Sequence, residues 1–404
     1  MFLASLEGSV VATAMPSVIR SLGGAALYSL PFAVYMLAAT VSGPLWGTVS
    51  DLHGRRRVYL LAVLAFVLGS TACGLSNNMG TLVAMRALQG VGAGGILPLT
   101  LTMAADLYGR ERRAGIQGFF SGVNGLSAIL GPLIGGLLTS ALGWRFVFLV
   151  NLPFAFLAVI PVLMLFPDPR HAHHDAERVD WTGGILLAVG IGTLVWALQV
   201  HDARFLWLAA PAWVAFALVE RAARHPIFPA TIVQDPTIRI GLLANLAAGA
   251  AYFGLITYLP LYAQTVTQAG PVAAGALLTP MSLSWTVASL TASRLLKRIP
   301  ARTLTILGAT TLTVGFVAFR LLLGHGLWLL ALASILIGVG MGLTMLTLML
   351  TIQAAAAGPR LGVVTSSILL MRNAGSGLGA SAMGAIIGAG TQVPSLLAAG
   401  LGRA

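Results

Sequence analysis

Apolar runs long enough to cross a membrane alternate with short polar gaps along nearly the whole chain, and this alternation predicts a bundle of spanning helices. A hydrocarbon core about 30 Å thick takes roughly 20 apolar residues per helix. Thirteen segments meet that requirement: 1–21, 26–49, 58–76, 80–107, 114–141, 145–166, 182–200, 204–221, 239–264, 272–293, 303–323, 327–352 and 362–389. The predicted class is an all-α polytopic membrane protein. Residues 392–404 are too short and too rich in glycine to add a further span.

The gaps carry the charge, and they carry it unevenly. Alternate gaps hold Arg55, Arg56 and Arg57; Arg110, Arg112 and Arg113; Arg170 and Arg178; Arg221, Arg224 and Arg239; Arg294, Lys297, Arg298 and Arg302; and Arg360. The opposite gaps hold little beyond Arg20, Arg145 and Arg204. Basic residues collect on the cytoplasmic face of membrane proteins, so a cytoplasmic amino terminus is expected.

Composition agrees: 57% of the 404 residues are hydrophobic and 8% are charged, against about 25% charged in soluble domains. The net charge of +12 is spread over short gaps and forms no continuous basic face, which argues against nucleic acid as a partner. Cys73 is the single cysteine, so the chain can build neither an internal disulfide nor a multi-thiolate metal site. The first apolar stretch carries Glu7, lacks a basic region ahead of it and shows no cleavage site, which is unlike a signal peptide. There is no His-Glu-x-x-His and no phosphate-cradling loop with a lysine, so neither an enzyme nor an ATP-driven machine is expected.

Three polar constellations interrupt the apolar pattern. Between segments two and three, Gly47, Asp51, Gly54, Arg55, Arg56 and Arg57 form a charged turn. Gly47 would let a neighbouring helix approach, Gly54 would permit the turn, and Asp51 could pair with an arginine or cap a helix. Such an ion pair, worth under about 1 kcal/mol, is weak enough to act as a latch that breaks and reforms. In segment four, Arg86 lies in an apolar helix with Gln89 one turn along. An arginine there either snorkels to the interface or faces a polar partner inside, at a cost of about 2.5 to 3.5 kcal/mol at mid-helix if left alone. In segment five, Gly131, Pro132, Gly135 and Gly136 make a helix of small residues with a proline in it, suited to a hinge or a tight helix interface.

In this order and at these distances, the three constellations resemble the signatures of the major facilitator superfamily. The first segment, Leu6-Glu7-Gly8-Ser9-Val10-Val11-Ala12-Thr13-Ala14-Met15-Pro16, looks like the first-helix pattern of its fourteen-helix drug:proton antiporter branch (EmrB/QacA type), in which the second of these positions is usually aspartate. Gly143-Trp144-Arg145 with Asn151-Leu152-Pro153, Leu259-Pro260-Leu261-Tyr262, and Arg372-Asn373-Ala374-Gly375 extend the likeness, as does the extra pair of segments between 182 and 221. The chain departs from the pattern in three ways: glutamate stands at position 7, the second half has no clear copy of the charged turn, and a fourteenth helix is missing, which suggests a shortened chain.

The resemblance implies two helical bundles, 1–166 and 239–404, with a linker and two additional helices over 167–238 between them, rocking about a central site. It implies efflux of small lipophilic or cationic compounds by a monomer in the cell membrane, driven by a proton gradient with no bound cofactor. A specific metabolite carrier, or a sensor without flux, is the alternative. An ionisable carboxyl group inside a membrane marks an ion or proton pathway, so Glu7 is the leading candidate for proton coupling, with Arg86 and Asp106 beside it. Polar and aromatic residues in apolar helices are the candidate substrate contacts: Tyr35, Gln89, Asn124, Asn151, Tyr252, Tyr258 and Trp285. The histidines at 171, 173 and 174 read as part of a linker, and no metal site is expected.

Overall fold

A computed structural model of the chain describes residues 2–166, 181–200, 204–223, 232, 234–356 and 361–389. Within these, the side chains of residues 2–5, 26, 48, 51, 105, 106, 108–122, 124, 128, 165, 181, 198–200, 206, 208, 361–363 and 385–389 lie outside the description. The described elements are helical throughout. They run α1 (Phe2–Leu22), α2 (Leu30–His53), α3 (Arg55–Gly74), α4 (Met79–Ala141), α5 (Phe146–Leu149), α6 (Asn151–Leu165), α7 (Trp181–Val200), α8 (Arg204–Ala222), α9 (Pro236–Thr265), α10 (Pro271–Leu295), α11 (Ala301–Leu322), α12 (Leu327–Ala355) and α13 (Leu361–Ala389).

Prolines 16, 44, 98, 132, 161, 211, 260 and 280 all lie inside helices. Packed neighbours make this tolerable in a membrane, where the freed carbonyls find other donors. Two of the described helix starts are capped by a side chain. Asn78 accepts from the Thr81 amide at 2.8 Å, and Asp235 accepts from the Thr237 and Ile238 amides at 2.7 and 3.3 Å, with Pro236 opening α9.

The expected boundaries change in two places. Segments four and five form one helical element, α4, although a polar gap was predicted after residue 107. It is not a straight rod. Arg86 meets Glu7, and Gly131 packs against Leu6 and Ser9, so both parts touch the same turn of α1. In a straight helix, residues 86 and 131 would stand about 68 Å apart. The element therefore doubles back into two arms, Met79–Ala104 and Gly125–Ala141 among its apolar parts. Conversely, the sixth segment splits at Val150 into α5 and α6.

Among the described residues, eight helices are long and apolar enough to cross a membrane, and 125–141 and 182–197 are shorter apolar stretches. Exposed Leu61, Leu64, Leu68, Phe156, Leu157, Leu307, Val314 and Leu321 cover the outer faces of α3, α6 and α11, where lipid can take the place of protein. This is a multi-pass membrane protein.

Helices α1 to α6 pack chiefly on one another, as do α9 to α13. The two groups meet where α1 touches α9, α4 touches α10 and α2 touches α13. The buried core shows how they meet. Its main cluster draws on both groups, joining Val10, Met15 and Phe148 to Leu259, Ala274 and Met281. At the end marked by the Gly54 turn the cores are separate: Tyr59, Phe66, Leu99 and Met103 belong only to the first group, and Ala288, Ala292, Leu304 and Leu343 only to the second. The halves are thus joined away from the Gly54 turn and divided beside it. The intervening pair does more than connect them, because Leu187, Ile191 and Val195 of α7 pack with Leu30 and Ala33 of α2 and with Leu370 and Ala374 of α13.

Candidate functional site

Glu7 projects from α1 into the first group of helices, where its side chain is 2% exposed. One carboxylate oxygen receives Arg86 in a salt bridge, and the other accepts from the Asn151 side-chain amide at 3.0 Å. Arg86 also donates to the Gln89 carbonyl at 2.7 Å and to the main-chain oxygen of Pro31 at 3.2 Å. Ser70 closes the ring: its hydroxyl accepts from Asn151 at 2.9 Å and from Gln89 at 3.2 Å, and donates to the Phe148 carbonyl at 2.8 Å. Side chains from α1, α3, α4 and α6 and carbonyls from α2 and α5 therefore form one buried polar cluster. Arg86 does not snorkel, and its burial is complete.

A buried cation needs its charge matched and its donors filled. Glu7 matches the charge. Arg86 Nη2 finds no hydrogen-bond partner among the described residues, but the guanidinium lies 4.0 Å above the centre of the Tyr35 ring, whose negative face suits a cation. Cys73 packs against the same cluster with its thiol 3.7 Å from the Gln89 oxygen.

This arrangement regroups the candidate residues. Tyr35, Gln89 and Asn151, read from the sequence as substrate contacts, are partners of the Glu7–Arg86 pair, Tyr35 through its ring face and Gln89 and Asn151 through their side-chain amides. Tyr252 and Trp285 do come together, on α9 and α10, edge to face with ring centres 4.5 Å apart. Tyr258 belongs elsewhere: its ring stacks 4.9 Å from Tyr28. Asp51, Asp106 and Asn124 have side chains outside the described residues.

The small-residue helix proves to be an interface on two sides. A side chain at Gly131 or Gly135 would run into Ser9, Val10 and Thr13 of α1; one at Gly136 would meet Pro271 and Val272 of α10, and Gly275 of α10 rests on the carbonyl of Pro132. One arm of α4 thus touches the helix that bears Glu7 and, on its other side, the opposite half of the molecule. Gly47 behaves differently from expectation. Nothing among the described residues lies within 4 Å of where its side chain would start, so the close helix approach is not made there. Gly54 alone separates α2 from α3 with φ at 91°, a conformation that favours glycine. Arg56 reaches 2.6 Å to the Leu163 carbonyl and so ties α3 to the last turn of α6.

Sequence reasoning missed the contacts that close the joined end. Tyr28 donates to the Thr257 carbonyl at 2.6 Å, Gln264 donates to the Thr13 carbonyl at 3.0 Å, and Arg20 donates to the Gln264 side-chain oxygen at 3.3 Å. Gln264 was visible as a polar residue at the end of an apolar run, but nothing in the sequence pairs it with α1.

Comparison with known proteins agrees with this architecture. The sequence pattern of the Major Facilitator Superfamily matches residues 1–380. The chain belongs to that superfamily and is by family a membrane transporter. It is 32% identical over 400 residues to the multidrug transporter protein MdtP of Bacillus subtilis (strain 168), covering 96% of this chain and 74% of that protein. It is 30% identical over 300 residues to multidrug resistance protein 3 of the same organism, covering 72% of this chain and 58% of the relative. In three dimensions it is similar to a bacterial homologue of the human lysosomal transporter Spinster, in an inward-facing and unoccupied conformation. There the TM-score is 0.67 at 17% identity, over 99% of this chain and 89% of the other.

Proposed function

We propose that this protein exports small lipophilic compounds in exchange for protons, as a monomeric member of the fourteen-helix drug:proton antiporter branch, resident in the cell membrane with its amino terminus in the cytoplasm. The chain spans 74% and 58% of the two Bacillus relatives, whose names speak for multidrug export. The expected efflux of lipophilic or cationic compounds is narrowed to the lipophilic part, because Glu7, the buried carboxylate among the described residues, is already paired with Arg86.

The observation that carries the reading is the position of that pair. Glu7 is held between Arg86 and Asn151, and its helix packs through Leu6, Ser9, Val10 and Thr13 on the α4 arm that meets α10. A proton on Glu7 removes the negative charge and leaves Arg86 buried without a counter-ion, which shifts the balance between packings of the two halves. In the proposed cycle, the proton enters from outside and cargo leaves outward; loss of the proton inside restores the pair and cargo binding. The proton gradient supplies the drive without a bound cofactor. With the basic gaps on the cytoplasmic side, the joined end faces outward and the divided end faces the cytoplasm.

The test is transport in proteoliposomes with an imposed pH gradient. Wild-type protein should move a lipophilic dye against its gradient and carry protons the other way, and Glu7→Gln should uncouple the two while the protein stays folded. Full coupling in Glu7→Gln would remove the carboxylate from the mechanism.

A further inference from the structure

The mid-membrane charges of the described residues do not balance. Glu7 and Arg86 cancel within the first half. In the second half stands Arg372, eleven residues into the 29-residue helix α13, and among the described residues it makes no salt bridge and its side chain makes no hydrogen bond. Its main-chain carbonyl is used, accepting from the Ser376 hydroxyl at 2.8 Å, so it is the guanidinium alone that lacks a partner.

Position decides what such a cation can meet. At about 1.5 Å per residue, Arg372 lies some 16 Å from the start of its helix, near the middle of a hydrocarbon core about 30 Å thick. Snorkelling along the helix cannot bring it to the lipid headgroups from there. Nor does it sit on the lipid-facing side. Of its neighbours one and two turns away on the same face, Ile368, Gly375, Ser376 and Gly379 are buried, while Thr365 is half-buried and Leu369 is exposed at the edge of that face. Its backbone abuts Gly249 of α9, where any side chain would strike the Arg372 carbonyl. Arg372 is thus carried on the side of α13 that packs into the second half, and as a residue it is half-buried.

Side chains on a helix lean toward its amino-terminal end, which for α13 is the end where the cores of the two halves are separate. On α9, Asn245 and Tyr252 flank Gly249 by one turn on either side, so a buried amide and an aromatic ring lie at neighbouring levels of the bundle. Leaving an arginine unpaired at this depth is costly unless something anionic or water-filled is there to receive it. Its planar fork of donors is shaped for carboxylate, sulfonate or phosphate oxygens.

We propose that Arg372 anchors an anionic group of the transported molecule, so that the cargo of this protein is an amphiphilic organic anion with an aromatic or lipophilic body. This rests on the transporter reading but does not require proton coupling. One arginine fixes the anion, Tyr252 and Trp285 offer aromatic surface to the body, and Glu7 and Arg86, the buried charges of the first half among the described residues, neutralise each other. A lipid headgroup would use the same chemistry, but its depth in the bilayer differs.

Equilibrium binding to the purified full-length chain separates the possibilities, using two xanthene dyes of one skeleton and opposite charge, carboxyfluorescein and rhodamine 6G, in phosphatidylcholine nanodiscs. Wild-type protein should favour carboxyfluorescein by at least about tenfold, Arg372→Gln should bring that ratio close to unity, and Arg372→Lys should keep most of it. A wild-type preference for rhodamine 6G, or an undiminished ratio in Arg372→Gln, would overturn the proposal. Should Arg372→Gln fail to fold, the wild-type ratio together with Arg372→Lys decides: no anion preference in the former, or a complete loss in the latter, counts against it. Adding phosphatidylglycerol should leave carboxyfluorescein binding unaltered; strong competition would assign the arginine to lipid instead. Because no gradient is involved, absence of pumping in proteoliposomes would sink the efflux reading without touching this result.

Discussion

Tyr28, in the turn before α2, donates its hydroxyl to the carbonyl of Thr257 on α9, the first helix of the other half, at 2.6 Å. The two residues lie 229 positions apart in the chain. Together with the Tyr28–Tyr258 ring contact and the Gln264 bridge to Thr13, this bond closes the joined end of the molecule.

Removing that hydroxyl should loosen the closure. A hydrogen bond of this kind contributes about 1 kcal/mol net, so Tyr28→Phe is expected to raise the population open at that end by roughly fivefold. Labelling of a cysteine introduced at the neighbouring turn, in a background with Cys73→Ser, reads this directly. Gln264→Leu should act in the same direction, and equal labelling in all variants would show that these bonds do not hold the end shut.

Glu7 and Arg86 should behave as one unit. Removing either partner leaves the other charge buried, at a cost of about 3 to 5 kcal/mol, whereas removing both leaves none. Thermal unfolding of Glu7→Gln, Arg86→Gln and the double variant should therefore show a double loss well below the sum of the single losses. Strict additivity would mean that the two are not coupled in the membrane.

Glycine substitutions should separate packing from open space. Gly135→Ala places a methyl group against Thr13 and Val10 and should cost about 1 to 3 kcal/mol. Gly47→Ala meets nothing among the described residues and should stay within about 0.5 kcal/mol of wild type. Melting temperatures in one detergent compare the two, and the reverse order would contradict the packing described here.

Trp285 is partly buried against Tyr252, and binding of an aromatic cargo beside the pair should quench its emission. Trp285→Ala should weaken binding of an aromatic dye by about tenfold, corresponding to about 1.4 kcal/mol. Unchanged affinity in Trp285→Ala would move the aromatic contact elsewhere.

The spans, the charged turn at Gly54 and the cost of placing Glu7 and Arg86 in lipid could all be read along the chain, because bilayer thickness and charge burial act on local sequence. Hydropathy placed the two arms of α4 as separate spans, and their common contact with α1 shows that they fold back on each other. What could not be read is which polar residues share a cluster. Tyr35, Gln89 and Asn151 carried the same local signal as Tyr252 and Trp285, a polar or aromatic side chain in an apolar helix, yet the first three turn toward Glu7 and Arg86 and the last two meet each other.

Sequence by itself therefore determined that the chain crosses the membrane many times and which residues are costly to bury there, since those follow from the composition of each segment. Tertiary structure alone decided that Glu7 neutralises Arg86 while Arg372 has no counter-ion among the described residues. The reason is physical: the energy of a buried charge depends on what stands within a few ångströms of it, and those neighbours come from helices far away in the chain.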